Sequence, residues 1–194
     1  MEQTAAMGSE VEAALQEQAA AELSDFDALV RSEQRRIYRV VLSLVRDPDT
    51  ADTLTQDCFL RAYQSRERFR GQCSVRTWLL RIAINLVRDH ARNRRLQFWR
   101  SLFRARPEEG QAPEPLHPQP SAERALLARE RLEKVWAVVQ SLSLQQRTIF
   151  ILRFVEEMEM EEIAEAMGLR PGTVKTHLFR AVSAIRREVG EQAL

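Results

Sequence analysis

Met160-Glu-Glu-Ile-Ala-Glu-Ala-Met167-Gly168-Leu-Arg170-Pro171-Gly-Thr-Val-Lys-Thr-His-Leu-Phe-Arg180-Ala181 is the stretch on which the fold turns. Its first part places Met160, Ile163, Ala164 and Met167 on one side of a short helix. Gly168 follows, the residue that ends helices by entering the left-handed region without steric penalty. Pro171 stands where a new helix can begin, because its missing N–H is unneeded in the first turn. Helix, tight glycine turn, helix is the pattern of a helix-turn-helix.

In the second helix of the pair, Val174, Leu178, Ala181 and Ile185 form the inward side. The opposite side presents Thr173, Lys175, Thr176, Phe179, Arg180 and Ser183. Lys and Arg there suit phosphates or guanine, hydroxyls suit either, and an outward Phe suits a thymine methyl. Phe179 has two readings: it packs on a neighbouring helix, or it stands free to meet DNA. Upstream, Ser143-Leu-Gln-Gln146 reads as a capping box opening a helix with Ile149, Phe150, Leu152 and Phe154.

Further back, a second surface of the same polarity emerges. A long helix is predicted from about Val75 to Arg95, with Val75, Leu79, Ile82, Ala83 and Leu86 on its inner side. Thr77, Arg81, Asn85, Arg88, Arg92 and Arg95 line another face, a stripe able to track phosphates and reach base edges. A solvated basic face would look similar. Yet acidic partners at helical spacing are nearly absent, and Phe69 and Trp78 sit beside the arginines as stacking surfaces for unpaired bases. Two earlier helices precede it. One opens at Ser24 with Asp27 and carries Phe26, Leu29, Val30, Ile37, Val40, Val41 and Leu44. After Asp47-Pro48, the other is capped by Asp49 and buries Leu54, Cys58, Phe59 and Ala62.

Punctuation and charge divide the 194 residues into four parts. Residues 1–24 hold five Glu and no Lys or Arg, an acidic extension that is either disordered or a mask for a basic surface. Residues 25–95 form one helical domain and residues 121–190 another. Between them, residues 96–120 carry Pro107, Pro113, Pro115, Pro118 and Pro120, expected to act as a flexible tether. The fold class is therefore all-α, with two small domains and a Pro-rich linker. Net charge is only +1, but thirteen Arg lie between Arg61 and Arg106 against Glu67 and Asp89 alone. Positive charge so concentrated points to a polyanion.

Catalysis is not indicated. His90, His117 and His177 are scattered, Cys58 and Cys73 lack metal-ligand spacing, and six Gly include no phosphate-cradling loop. No cofactor or metal is implied. No apolar run approaches the roughly 18 residues that span a bilayer, and no export leader is visible, so the expected location is the cytoplasm.

Taken together, these motifs resemble the bacterial sigma factors of the extracytoplasmic-function (ECF) group of the sigma-70 family, over about residues 25–190. Asp52-Thr-Leu-Thr-Gln-Asp57-Cys-Phe-Leu-Arg-Ala-Tyr63 is similar to the helix that docks on the clamp of the polymerase largest subunit. The resemblance thus makes Asp52, Gln56, Asp57 and Phe59 polymerase-binding, where dipole-favoured acids near a helix start would be the plainer account. Phe69-Arg70-Gly71-Gln-Cys-Ser74 resembles the loop that captures a flipped base of the −10 element. Thr77-Trp78-Leu-Leu-Arg81-Ile-Ala-Ile-Asn85, with Arg88 and Arg92, resembles the helix that reads and melts that element. Glu162-Ile-Ala-Glu-Ala-Met-Gly168 and Gly172-Thr173-Val-Lys175-Thr176-His-Leu-Phe179-Arg180-Ala181 resemble the −35-binding helix-turn-helix.

What the resemblance implies is a transcription initiation factor, not an enzyme. Its partners would be core RNA polymerase (largest and second-largest subunits), promoter DNA and an inhibitory anti-sigma factor. The tether, opening on Phe98-Trp-Arg-Ser-Leu-Phe-Arg104, resembles the linker that threads the polymerase toward the RNA exit path. The chain departs from the family pattern in Arg170, where a Ser-like cap is common, and in Asp52-Thr53, where two acids are common. A helix-turn-helix regulator with a sensing domain is the main rival. It would bind its operator alone and leaves the arginine stripe unexplained.

Overall fold

The computed structural model describes residues 16–102 and 122–189, with side chains described over 16–94 and 132–188. Every regular element among these residues is helical. In chain order they are α1 (described over residues 16–24), α2 (Phe26–Val45), α3 (Pro48–Ser65), a 3-10 turn (Arg66–Arg68), α4 (Val75–Leu102), α5 (Ala122–Ser141), α6 (Leu144–Phe154), α7 (Met160–Met167) and α8 (Pro171–Val189). They form two compact units, one from the N-terminal helices and one from the C-terminal helices. The Pro-rich stretch over 103–121 and the first fifteen residues of the acidic extension lie outside the described residues.

In the first unit α2, α3 and α4 pack against one another. The interior holds Ile37, Val40 and Val41 of α2, Ala51, Leu54 and Cys58 of α3, and Leu79, Leu80 and Ala83 of α4. Each large aliphatic side chain buried this way contributes roughly 1.5–3 kcal/mol. The inner side of α4 is wider than its apolar repeat indicated. Leu80, Ile84 and Val87 are buried as well, whereas Ile82 is only half-buried. The cause is position: α4 contacts both α2 and α3, so a broad arc is covered. The Cys58 thiol donates to the Leu79 carbonyl at 3.4 Å, and Glu33 pairs with Arg76 at 3.5 Å.

Three helix ends differ from what their local sequence predicts. Asp25, not Ser24, caps α2: its carboxylate accepts from the Ala28 amide at 2.9 Å, while the Ser24 hydroxyl turns back to Ala21. Asp47, not Asp49, caps α3, accepting from Thr50 at 2.8 Å with Pro48 at the first helical position. Proline requires the cap to precede it, and Asp49 falls inside the first turn. Nor does α4 stop near Arg95. It continues to Leu102, because residues 96–102 contain neither Pro nor Gly and the first breaker is Pro107.

The second unit packs α5, α6 and α8 together. Val139 and Leu142 meet Phe150, Ala181 and Ile185 in its core. The Ser143–Gln146 capping box forms with both reciprocal hydrogen bonds, as its spacing predicts. Gly168 adopts φ +64, and the Leu169 amide donates to the Ala164 carbonyl at 2.8 Å, closing α7. Phe154 is not part of this core. It lies at the end of α6 and stays about half exposed, its ring tilted against Phe150 at 4.8 Å.

Candidate nucleic-acid interface

On α3 the polar face runs from Asp52 through Gln56. Both are exposed, and the Gln56 amide donates to the Asp52 carboxylate at 2.7 Å. Asp57 is half-buried at the margin. Phe59 is different. It is a core residue, 8% exposed, and supports this face from beneath rather than forming it. The face continues instead into Leu60 and Tyr63, 55% and 48% exposed, which the residue-by-residue reading passed over. Their signal was present: Leu60 lies one helical step from Gln56, and an apolar residue there costs solubility unless something covers it. Tyr63 is held in place, edge-on to Phe26 at 5.2 Å with the Arg66 guanidinium 3.8 Å over its ring.

Beyond the 3-10 turn, the chain reverses at Gly71, whose φ of +66 favours glycine. Phe69 is half-buried, and its ring lies 4.7 Å from that of Trp78 at an interplanar angle of 30°. Arg70 is exposed. Ser74 caps α4, its hydroxyl accepting from the Thr77 amide at 3.1 Å and sitting 2.9 Å from the Thr77 hydroxyl. Thr77 is accordingly buried and serves the helix start. Further along, Arg81 is half-buried while Asn85, Arg88 and Arg92 are exposed on one face. Arg88 reaches the Asn85 side-chain carbonyl at 3.5 Å, and Arg92 pairs with Asp89 at 3.3 Å. That exposed pair is weak, worth at most about 1 kcal/mol, and leaves the stripe cationic.

In the second unit the anticipated outward face of α8 is outward. Lys175, Thr176 and Arg180 are exposed and Thr173 is half-buried. Phe179 is 73% exposed, so its ring does not pack on a neighbouring helix of the unit. Arg170 precedes Pro171, and its backbone carbonyl accepts from Thr173 at 2.9 Å and Val174 at 3.2 Å. Leu132 and Val155 join Phe154 as exposed apolar residues that the sequence reading did not single out. Among the described residues no cluster could hold a metal ion, and no helix is long and apolar enough to cross a membrane.

A helix-turn-helix with a cationic outer face, in a chain whose other unit carries an arginine-lined helix beside paired aromatics, defines a DNA-binding protein of the helix-turn-helix class. Comparison with known proteins gives the family. Residues 29–97 match Sigma-70 region 2, and residues 132–185 match Sigma-70, region 4. The RNA polymerase sigma-H factor of Pseudomonas aeruginosa is 35% identical over 162 residues, covering 82% of this chain and 83% of that one. The ECF RNA polymerase sigma-E factor of Escherichia coli is 30% identical over 166 residues, covering 84% and 86%. In fold, the chain is similar to the sigma factor RpoE of Bartonella quintana, solved with the anti-sigma factor NepR (TM-score 0.69, 21% identity, 87% of this chain and 98% of that one). The chain belongs to the ECF sigma factors of the sigma-70 family, and as such directs RNA polymerase to promoters without being an enzyme.

Proposed function

We propose a division of that task between the two units. The second unit anchors the −35 element through Thr173, Lys175, Thr176, Phe179 and Arg180 of α8 in the major groove. The first unit docks on core polymerase through Asp52, Gln56 and Asp57, extended by Leu60 and Tyr63. Its loop from Phe69 to Ser74 receives a base flipped from the −10 element, while Trp78, Arg81, Asn85, Arg88 and Arg92 hold the separated strand. Unstacking a base costs a few kcal/mol, and stacking on an aromatic ring returns about 1–3 kcal/mol. The stretch over 103–121 joins the two units.

The observation that carries this reading is the Phe69–Trp78 pair at the head of the exposed Asn85–Arg88–Arg92 face. Stacking surface and phosphate-tracking charge there share one helix. An anti-sigma partner is part of the same proposal, supported by the Bartonella quintana relative's complex with NepR. Run-off transcription with purified core enzyme tests it. Promoter-specific transcripts that need this chain, and that weaken with Trp78→Ala and Arg180→Ala, support it. Specific promoter binding by the chain without core enzyme would instead favour an ordinary regulator.

A further inference from the structure

The acidic extension is not merely an appendage to the first unit. Helix α1 lies directly on the loop that carries Phe69 and Gly71. A Cβ placed on Gly71 would fall 2.7 Å from the Gln16 Cα and 2.8 Å from its Cγ, so backbone rests on backbone there. One turn on, Ala19 is 4% exposed, although it sits in a segment poor in large apolar residues. Gln16, Ala19 and Leu23 share one helical stripe, and with Phe69, Arg70 and Gly71 they line a single cleft of about 560 Å3. The charge is complementary. Residues 1–24 hold five Glu and no cation, with Glu17 and Glu22 in α1, whereas Arg66 and Arg70 line the cleft on either side of Glu67.

We propose that α1 is a displaceable cover over the base-receiving loop, occupying in the free chain the surface that single-stranded promoter DNA needs. This rests on the reading of that loop given above and adds its regulation. An acidic helix competes with a polyanion for the same cations. The contact rests on Gln16, Ala19 and Leu23, with a single large apolar side chain, so it yields at modest expense to a ligand offering stacking and several phosphates. The extension thereby raises the threshold for engaging the −10 strand, leaving the −35 surface untouched.

The test compares holoenzymes reconstituted from core polymerase with the full chain, with a chain lacking residues 1–24, and with the Ala19→Gln variant. Ala19→Gln is neutral and helix-compatible but too large for the buried site, so it lifts α1 without deleting it. The probe is a fork-junction DNA carrying a single-stranded −10 element. Truncation is expected to tighten binding about fivefold or more, within the usual range of intramolecular coupling. Ala19→Gln should fall between truncated and full chains, and the gain should shrink at high salt. Equal affinities for the three proteins overturn the proposal. So does weaker binding on truncation, which would make α1 a wall of the pocket. Phe69→Ala in the full and truncated backgrounds separates the two ideas. If it weakens binding in both while truncation tightens nothing, the cover alone fails; if it changes neither, the base-receiving loop fails too.

Discussion

The rings of Phe69 and Trp78 lie 4.7 Å apart, tilted by 30°, and join the loop before α4 to the first turns of that helix. Trp78 is only half-buried, so its ring both steadies the loop and offers a face outward. Trp78→Ala is expected to leave polymerase binding intact and to weaken open-complex formation by about 1–3 kcal/mol, one stacking interaction. Permanganate footprinting of the −10 region reads this. Unchanged thymine reactivity would remove Trp78 from strand opening.

Phe179 and Arg180 stand exposed on α8, clear of the core built by Val174, Ala181 and Ile185. Arg180→Ala should therefore lower affinity for the upstream element without shifting the thermal unfolding midpoint. A lost base contact costs about 1–3 kcal/mol and relaxes sequence preference. A lost phosphate contact weakens all sequences alike and lowers the salt slope by about one. Titrations at several salt concentrations tell the two apart.

Arg46 and Glu157 both hold positive φ, 65° and 55°, and both are exposed. Arg46 is the left-handed cap of α2, its amide donating to the Leu42 carbonyl. A side chain in that region is strained by about 1–2 kcal/mol. Glycine removes the strain but adds about 0.4–1 kcal/mol of unfolded-chain entropy. Arg46→Gly should thus stabilise the first unit slightly and Glu157→Gly the second. Calorimetry that found either variant less stable would show that the side chain matters more than the backbone.

The Asp47 carboxylate is held below the usual carboxylate range, first by its side-chain hydrogen bond with Thr50 and then by the Thr50 amide. The sign follows from linkage. A carboxyl whose folded pKa is depressed stabilises the fold above its unfolded value and loses that contribution as pH falls through the folded one. The melting-temperature gap between the native chain and Asp47→Ala should be present at neutral pH and close as acid protonates the cap. Asp47→Asn should keep the capping but lose the pH dependence. A gap constant from neutral pH into strong acid would refute the capping role.

Burial pushes the Cys58 thiol up to about 12. In the folded chain it should resist a thiol reagent at mildly alkaline pH, and it should react once denaturant exposes it. The measurement is made on a Cys73→Ser background, so that one thiol reports. Rapid modification of the native protein would mean that the interface between α3 and α4 opens readily.

The amino-acid sequence by itself determined α2 to α4 and α6 to α8, the glycine turn at Gly168, the capping box at Ser143 and the outward set on α8, because these are set by neighbours a few residues apart. It also determined the family, through motifs in order along nearly the whole chain. Helix ends were less legible. Ser24 against Asp25, and Asp49 against Asp47, differ by which side chain reaches an amide, and the order of residues states that only weakly. Tertiary structure alone decided that Leu80, Ile84 and Val87 are buried, since α4 is covered from two sides. It alone left Leu60, Tyr63 and Phe179 outside, and laid Gln16 on Gly71. Burial and long-range contact arise from packing between elements, a property that no local pattern encodes.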